Sequence, residues 1–171
     1  MFFSGFSLLD EKDIFKEYIE ETEFTISGFS YGAIKALKYV LEAIENSKRI
    51  DKIQLFSPAY FNDKSKKFKR LQLLYFQKNN QQYIDNFIQN TIYPNNININ
   101  KYIKNGTYKQ LDELLNFIWD KDDLETITKH NIKIEVYLGA KDKIIDSKEA
   151  KDFFQQFAEV YYIKDVGHSL N

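Results

Sequence analysis

Ser30 stands in Gly28-Phe29-Ser30-Tyr31-Gly32, a G-x-S-x-G pattern. A serine hydroxyl is a weak nucleophile near neutral pH and needs a base beside it. Only His130 and His168 are available as imidazoles. His168 follows an apolar run at Val160 to Ile163, whereas His130 precedes one at Ile132 to Leu138. If both runs are strands, His168 leaves the sheet at the edge where Ser30 sits and His130 enters at the other. The base in turn needs a carboxylate to hold its tautomer and stabilise the imidazolium. Asp142, in Leu138-Gly139-Ala140-Lys141-Asp142, emerges at that same edge. Asp146 is a rival four residues on, and Asp165 lies too close to its strand end. The chemistry implied is acyl transfer through a serine ester. It also needs two donors for the developing oxyanion. The N–H of Tyr31 is one candidate, and the N–H of Phe6, in the Ser4-Gly5-Phe6 loop, is the other.

These side chains require particular elements behind them. A nucleophile elbow needs a strand before the serine and a helix after it. Glu23 to Ser27 alternates polar and apolar and is rich in strand formers; Ala33 to Glu45 carries Ile34, Leu37, Leu41 and Ile44 on one helical stripe. Further strands are predicted at Met1–Phe3, Lys52–Ser57, Ile132–Leu138 and Val160–Ile163, and helices at Asp10–Glu21 and Ser147–Phe157. Strands alternating with helices argue an α/β fold with a parallel sheet. Phe61 to about Lys129 breaks the rhythm. It reads as helices at Lys64–Lys78, Gln81–Thr91 and Thr107–Trp119, with a capping-box pattern at Thr107 and Gln110. Such an insertion reads as a helical lid over the strand ends, within one domain spanning residues 1–171.

Composition removes other classes. The 171 residues include no cysteine, which excludes disulfides, thiolate metal sites and cysteine catalysis. No metal and no cofactor are expected. Lys+Arg 24 against Asp+Glu 25 is not the balance of a nucleic-acid-binding domain. No apolar run approaches the ~20 residues of a membrane helix. Met1-Phe2-Phe3 lacks the basic segment and apolar core of a secretory leader, so a cytoplasmic location is expected.

The Ser4-Gly5-Phe6 loop, the elbow, Ser57-Pro58, Gly139 to Asp142 and Gly167-His168 together resemble the α/β-hydrolases, in which the triad runs Ser, Asp, His. Phe2 to Phe6, Ser27 to Ala36 and Phe68 to Leu73 are more similar still to the short pimeloyl-acyl-carrier-protein methyl ester esterases of biotin synthesis. That resemblance implies hydrolysis of the carrier-bound methyl ester, with release of methanol. The sequence departs from the general pattern in two ways. Ser4 stands where many relatives have histidine, and few residues precede Ser30 or follow His168. A thioesterase, a small-ester esterase or a non-catalytic binding module on the same fold are the alternatives.

Lys64, Lys66, Lys67, Lys69 and Arg70 gather at the start of a predicted helix, where cations oppose the helix dipole. An acidic carrier protein is a fitting partner; the alternative is a solvated lysine-rich face. Five strands in sequence order would place every right-handed crossover helix on one face. Phe24, Ile26, Ile53, Leu55, Ile134 and Val136 are then expected to be buried. The second face should be thinly covered, unless the Asp10–Glu21 helix remains on it through a left-handed connection.

Overall fold

The computed structural model describes all 171 residues. Five strands form one parallel sheet in the order β1-β2-β3-β4-β5: β1 (Phe2–Phe3), β2 (Thr25–Phe29), β3 (Lys52–Phe56), β4 (Lys133–Gly139) and β5 (Glu159–Ile163). The six helices are α1 (Tyr31–Glu45), α2 (Lys66–Lys78), α3 (Asn80–Ile92), α4 (Tyr108–Asn116), α5 (Lys121–Lys129) and α6 (Ser147–Phe154). Strand register places Ile26, Ile53, Ile134 and Val136 on one face, and all four are buried with Leu55. Phe24 is the exception. It lies just before β2, half-buried, under the Arg49 guanidinium 4.2 Å away.

The pleat sends alternate residues to opposite faces, so Ser27, Gln54 and Glu135 share the second face with Phe29, Phe56 and Tyr137. No α-helix forms between β1 and β2. The expected Asp10–Glu21 helix is a single 3₁₀ turn at Glu11–Phe15. The Gln54 side chain explains the interruption. It donates to the Tyr18 carbonyl at 3.0 Å and accepts the Glu20 N–H at 2.7 Å, taking backbone groups a longer helix would use. Phe15 stacks on Phe56, with ring centroids 4.7 Å apart, and Tyr18 lies against Tyr137.

The segment therefore crosses on the second face, while α1 and α6 cross on the first. With strands advancing in one direction, the β1–β2 connection has the opposite, left-handed sense. The second face has this one thin covering. The last stretch of the expected 61–129 lid, α5, is seated against α1 and β4 beside the sheet, and α2, α3 and α4 form the helical insertion before it. No helix is long and apolar enough to cross a membrane.

Candidate active site

Ser30 occupies the turn between β2 and α1 at φ 53° and ψ −114°. A side-chain-bearing residue rarely adopts this backbone, and its neighbours must hold it there. The Ser30 N–H donates to the Phe56 carbonyl at 2.9 Å, and its carbonyl accepts from Ala33 at 3.1 Å and Ala59 at 3.2 Å. The flanking glycines meet a packing demand. A Cβ on Gly28 would stand 2.3 Å from the Gly32 carbonyl oxygen, and one on Gly32 would stand 1.9 Å from that of Phe3. Both positions are open only to glycine.

The structure brings Ser30, His168 and Asp142 into one hydrogen-bonded line. His168 Nδ1 lies 2.6 Å from Asp142 Oδ2, and His168 Nε2 lies 2.9 Å from Ser30 Oγ. A carboxylate only accepts, so Nδ1 carries the ring proton and Nε2 is left to accept from the serine hydroxyl. The other Asp142 oxygen accepts from the N–H groups of Ile144 (2.7 Å) and Ile145 (3.1 Å), which fixes the carboxylate. Backbone bonds join the loops that carry these groups: Ala140 donates to Ile163 and Lys141 to Val166. Ser169 N–H donates to the Thr91 carbonyl, tying the His168 loop to α3. The rival Asp146 instead caps α6, accepting from Lys148 and Glu149. Asp165 makes an exposed ion pair with Lys141 at 3.0 Å. His130 is exposed and bound to the Thr126 carbonyl, remote from this edge.

Phe6 and Tyr31 each present a buried backbone N–H with no acceptor inside the protein. The Gly5 carbonyl accepts from Leu8 at 3.3 Å. In a trans peptide C=O and N–H point in opposite directions, so this bond turns the Phe6 N–H the other way. Tyr31 also reaches outward: its hydroxyl donates to Glu113 on α4, and Lys35 Nζ lies 4.4 Å from its ring centre. Burial first, then the Glu113 carboxylate, pushes the Tyr31 hydroxyl pKa well above its ordinary value. Nothing in the spacing of Tyr31 and Glu113, 82 residues apart, signals this contact.

The relay is covered. Ser30 is 1% exposed and His168 0%. A cavity of about 660 Å³ lies between α2, α3 and α4, with Phe61, Phe68, Tyr83, Phe87 and Leu115 in its walls; Ser30, His168 and Asp142 do not line it. Ile144, whose N–H holds Asp142, also lines it. Of the five cations at the start of α2, Lys66, Lys67 and Arg70 are exposed and make no ion pair. Lys64 is paired with Asp63. Lys69 is 7% exposed, and burial pushes its pKa down. No group of three or more His, Cys, Asp or Glu side chains is placed to hold a metal ion.

No family model and no curated protein matches the chain. Solved structures do. Naproxen esterase (carboxylesterase NP) from Bacillus subtilis aligns over 93% of this chain and 57% of its own, at 18% identity and TM-score 0.56. Bromoperoxidase from Bacillus anthracis aligns over 86% and 61%, at 16% identity and TM-score 0.64. An esterase from Exiguobacterium antarcticum aligns over 93% and 64%, at 16% identity and TM-score 0.63. The chain has the α/β-hydrolase fold. It spans less than two thirds of the length of each of these three proteins. Within this α/β-hydrolase fold Ser30 follows the second of five strands, and the loops that carry Asp142 and His168 follow the fourth and fifth.

Proposed function

We propose that the protein is a serine carboxylesterase that hydrolyses the methyl ester of pimeloyl-acyl-carrier protein, supplying a biotin precursor. The observation that carries the hydrolase reading is the Ser30–His168–Asp142 line, with both histidine bonds at 2.9 Å or less. Ser30 Oγ attacks the ester carbonyl carbon while its proton passes to His168 Nε2. Asp142 accepts from Nδ1 and stabilises the imidazolium that forms. The N–H groups of Phe6 and Tyr31 bind the oxyanion. Collapse of the tetrahedral adduct expels methanol, which takes the proton from His168. Water then attacks the acyl-serine by the same route and frees the carboxylic acid.

The choice of substrate rests on the sequence resemblance and on the exposed cations Lys66, Lys67 and Arg70, which suit an acidic carrier. The test is methanol release from carrier-linked pimeloyl methyl ester by the purified protein, beside its hydrolysis of p-nitrophenyl acetate. Turnover of both, lost in Ser30→Ala, supports the proposal. Turnover of the small ester alone overturns the substrate. A thioester cleaved in preference to the methyl ester would make the protein a thioesterase. If a fluorophosphonate fails to label Ser30, the molecule is a binding module rather than an enzyme.

A further inference from the structure

Glu11 is the one acid outside the relay that is buried without an ion pair. It is 0% exposed. Its Oε1 accepts the Gly5 N–H at 2.7 Å, and its Oε2 has no partner. Burying a carboxyl is costly unless something holds it, and a single bond to one peptide is weak compensation. That peptide precedes Phe6. The loop Ser4 to Leu8 is fastened at four points: Glu11 on the Gly5 N–H, Leu8 N–H on the Gly5 carbonyl, Ser4 Oγ accepting the Asp10 N–H at 3.0 Å, and Lys104 N–H on the Ser7 carbonyl at 2.9 Å. Only the first uses a side chain from outside the loop to reach its backbone. Gly5 itself has little room to shift, because a Cβ there would lie 2.9 Å from the Phe29 ring.

We propose that Glu11 is a positioning residue. It fixes the Ser4–Gly5 peptide, the plane before the Gly5–Phe6 peptide, and together with the Leu8 bond to the Gly5 carbonyl holds the Phe6 N–H toward the oxygen that becomes charged on a Ser30-bound ester. The inference rests on the reading of Phe6 as an oxyanion donor. Burial, the largest influence, pushes the Glu11 carboxyl above the usual carboxylate range, and the Gly5 N–H works against it.

Three variants test the proposal. Glu11→Gln keeps an acceptor at the same reach. Glu11→Asp withdraws it by one methylene, and Glu11→Leu removes it. On p-nitrophenyl acetate, kcat should fall about tenfold or more in the Leu and Asp variants, with KM within about twofold, since a misplaced oxyanion donor weakens only the transition state. The Gln variant should restore most of that loss. Inhibition by a phenylboronic acid, which forms a tetrahedral adduct on serine, should weaken in parallel with kcat. Glu11→Asp keeps the test open where Glu11→Leu does not fold. A lower melting temperature with kcat and boronate affinity unchanged would overturn the proposal, because Glu11 would then serve stability alone. Equal losses in Gln and Leu would overturn it as well. A wild type that hydrolyses no ester would sink the esterase reading and this inference together, whereas an active wild type with unaffected Glu11 variants would sink this inference only.

Discussion

Ser30 adopts a backbone that β2, α1 and the β3 loop must jointly enforce, and its hydroxyl has one partner, His168. Removing either member of such a pair removes nearly the whole effect, because they act as a unit. Ser30→Ala and His168→Ala should each lower kcat on a small ester by about three orders of magnitude or more. Asp142→Ala should leave more activity than either, and Asp146→Ala should only loosen α6. Steady-state rates on p-nitrophenyl acetate check this; a larger loss from Asp146→Ala than from Asp142→Ala would reassign the acid. These three positions could be proposed from sequence because each follows a strand, Ser30 sits in the G-x-S-x-G pattern and histidine is scarce, whereas Asp142 has to be chosen over Asp146 and Asp165. Glu11 could not. Read locally it is one acid among three near a helix start, and nothing nearby in sequence says that it folds back onto Gly5. Lys69 shows the same limit in reverse. Five cations in seven residues read as one patch, but a helix turns about 100° per residue, and Lys69 points inward.

At the scale of elements, the strands, α1 and the Thr107–Gln110 capping box were legible from period and punctuation, because those signals are local. The failure at Asp10–Glu21 had a non-local cause: Gln54, more than thirty residues away, claims the backbone of Tyr18 and Glu20. The helix α5 was absorbed into the insertion because its strand partner follows it in sequence. The exposed face of α2 supports the carrier proposal through Lys66, Lys67 and Arg70. Reversing these three to Glu should lower kcat/KM for a carrier-linked methyl ester about tenfold at low salt, and less at high salt, because such docking is screened. Hydrolysis of p-nitrophenyl acetate should hold within about twofold. Equal loss on both substrates would indicate damage to α2 packing, and no loss on either would leave a solvated face.

Across the whole molecule, the two sheet faces are stabilised differently. One is apolar under three helices. The other carries Glu135, 4% exposed, whose carboxylate meets Lys52 at 3.0 Å, Lys133 at 2.8 Å, Gln54 at 2.9 Å and Tyr137 at 3.1 Å. Burial alone would raise its pKa, but Lys133, Gln54 and Lys52 outweigh that and hold it at about 2, from an ordinary value of 4.5. A depressed carboxylate binds its proton more readily when unfolded. Its stabilising contribution is therefore complete above about pH 4.5 and is lost as pH falls toward 2. Urea midpoints across that window should fall less steeply in Glu135→Gln than in the wild type. Parallel slopes would show that other groups govern acid unfolding.

The near-complete burial of Ser30 and His168 also governs timing. A bulky reagent is expected to need its surroundings to move before it meets a serine that is 1% exposed, which would place one preliminary event ahead of every encounter. Covalent capture should then behave as a queue behind a gate. With rising fluorophosphonate concentration, the observed labelling rate should climb and level off at a ceiling set by opening. Two phosphonates of different leaving group should share that ceiling, although their initial slopes differ. A rate that stays linear in reagent, with separate values for each phosphonate at every concentration, would mean that the cover moves faster than the chemistry and exerts no control over it.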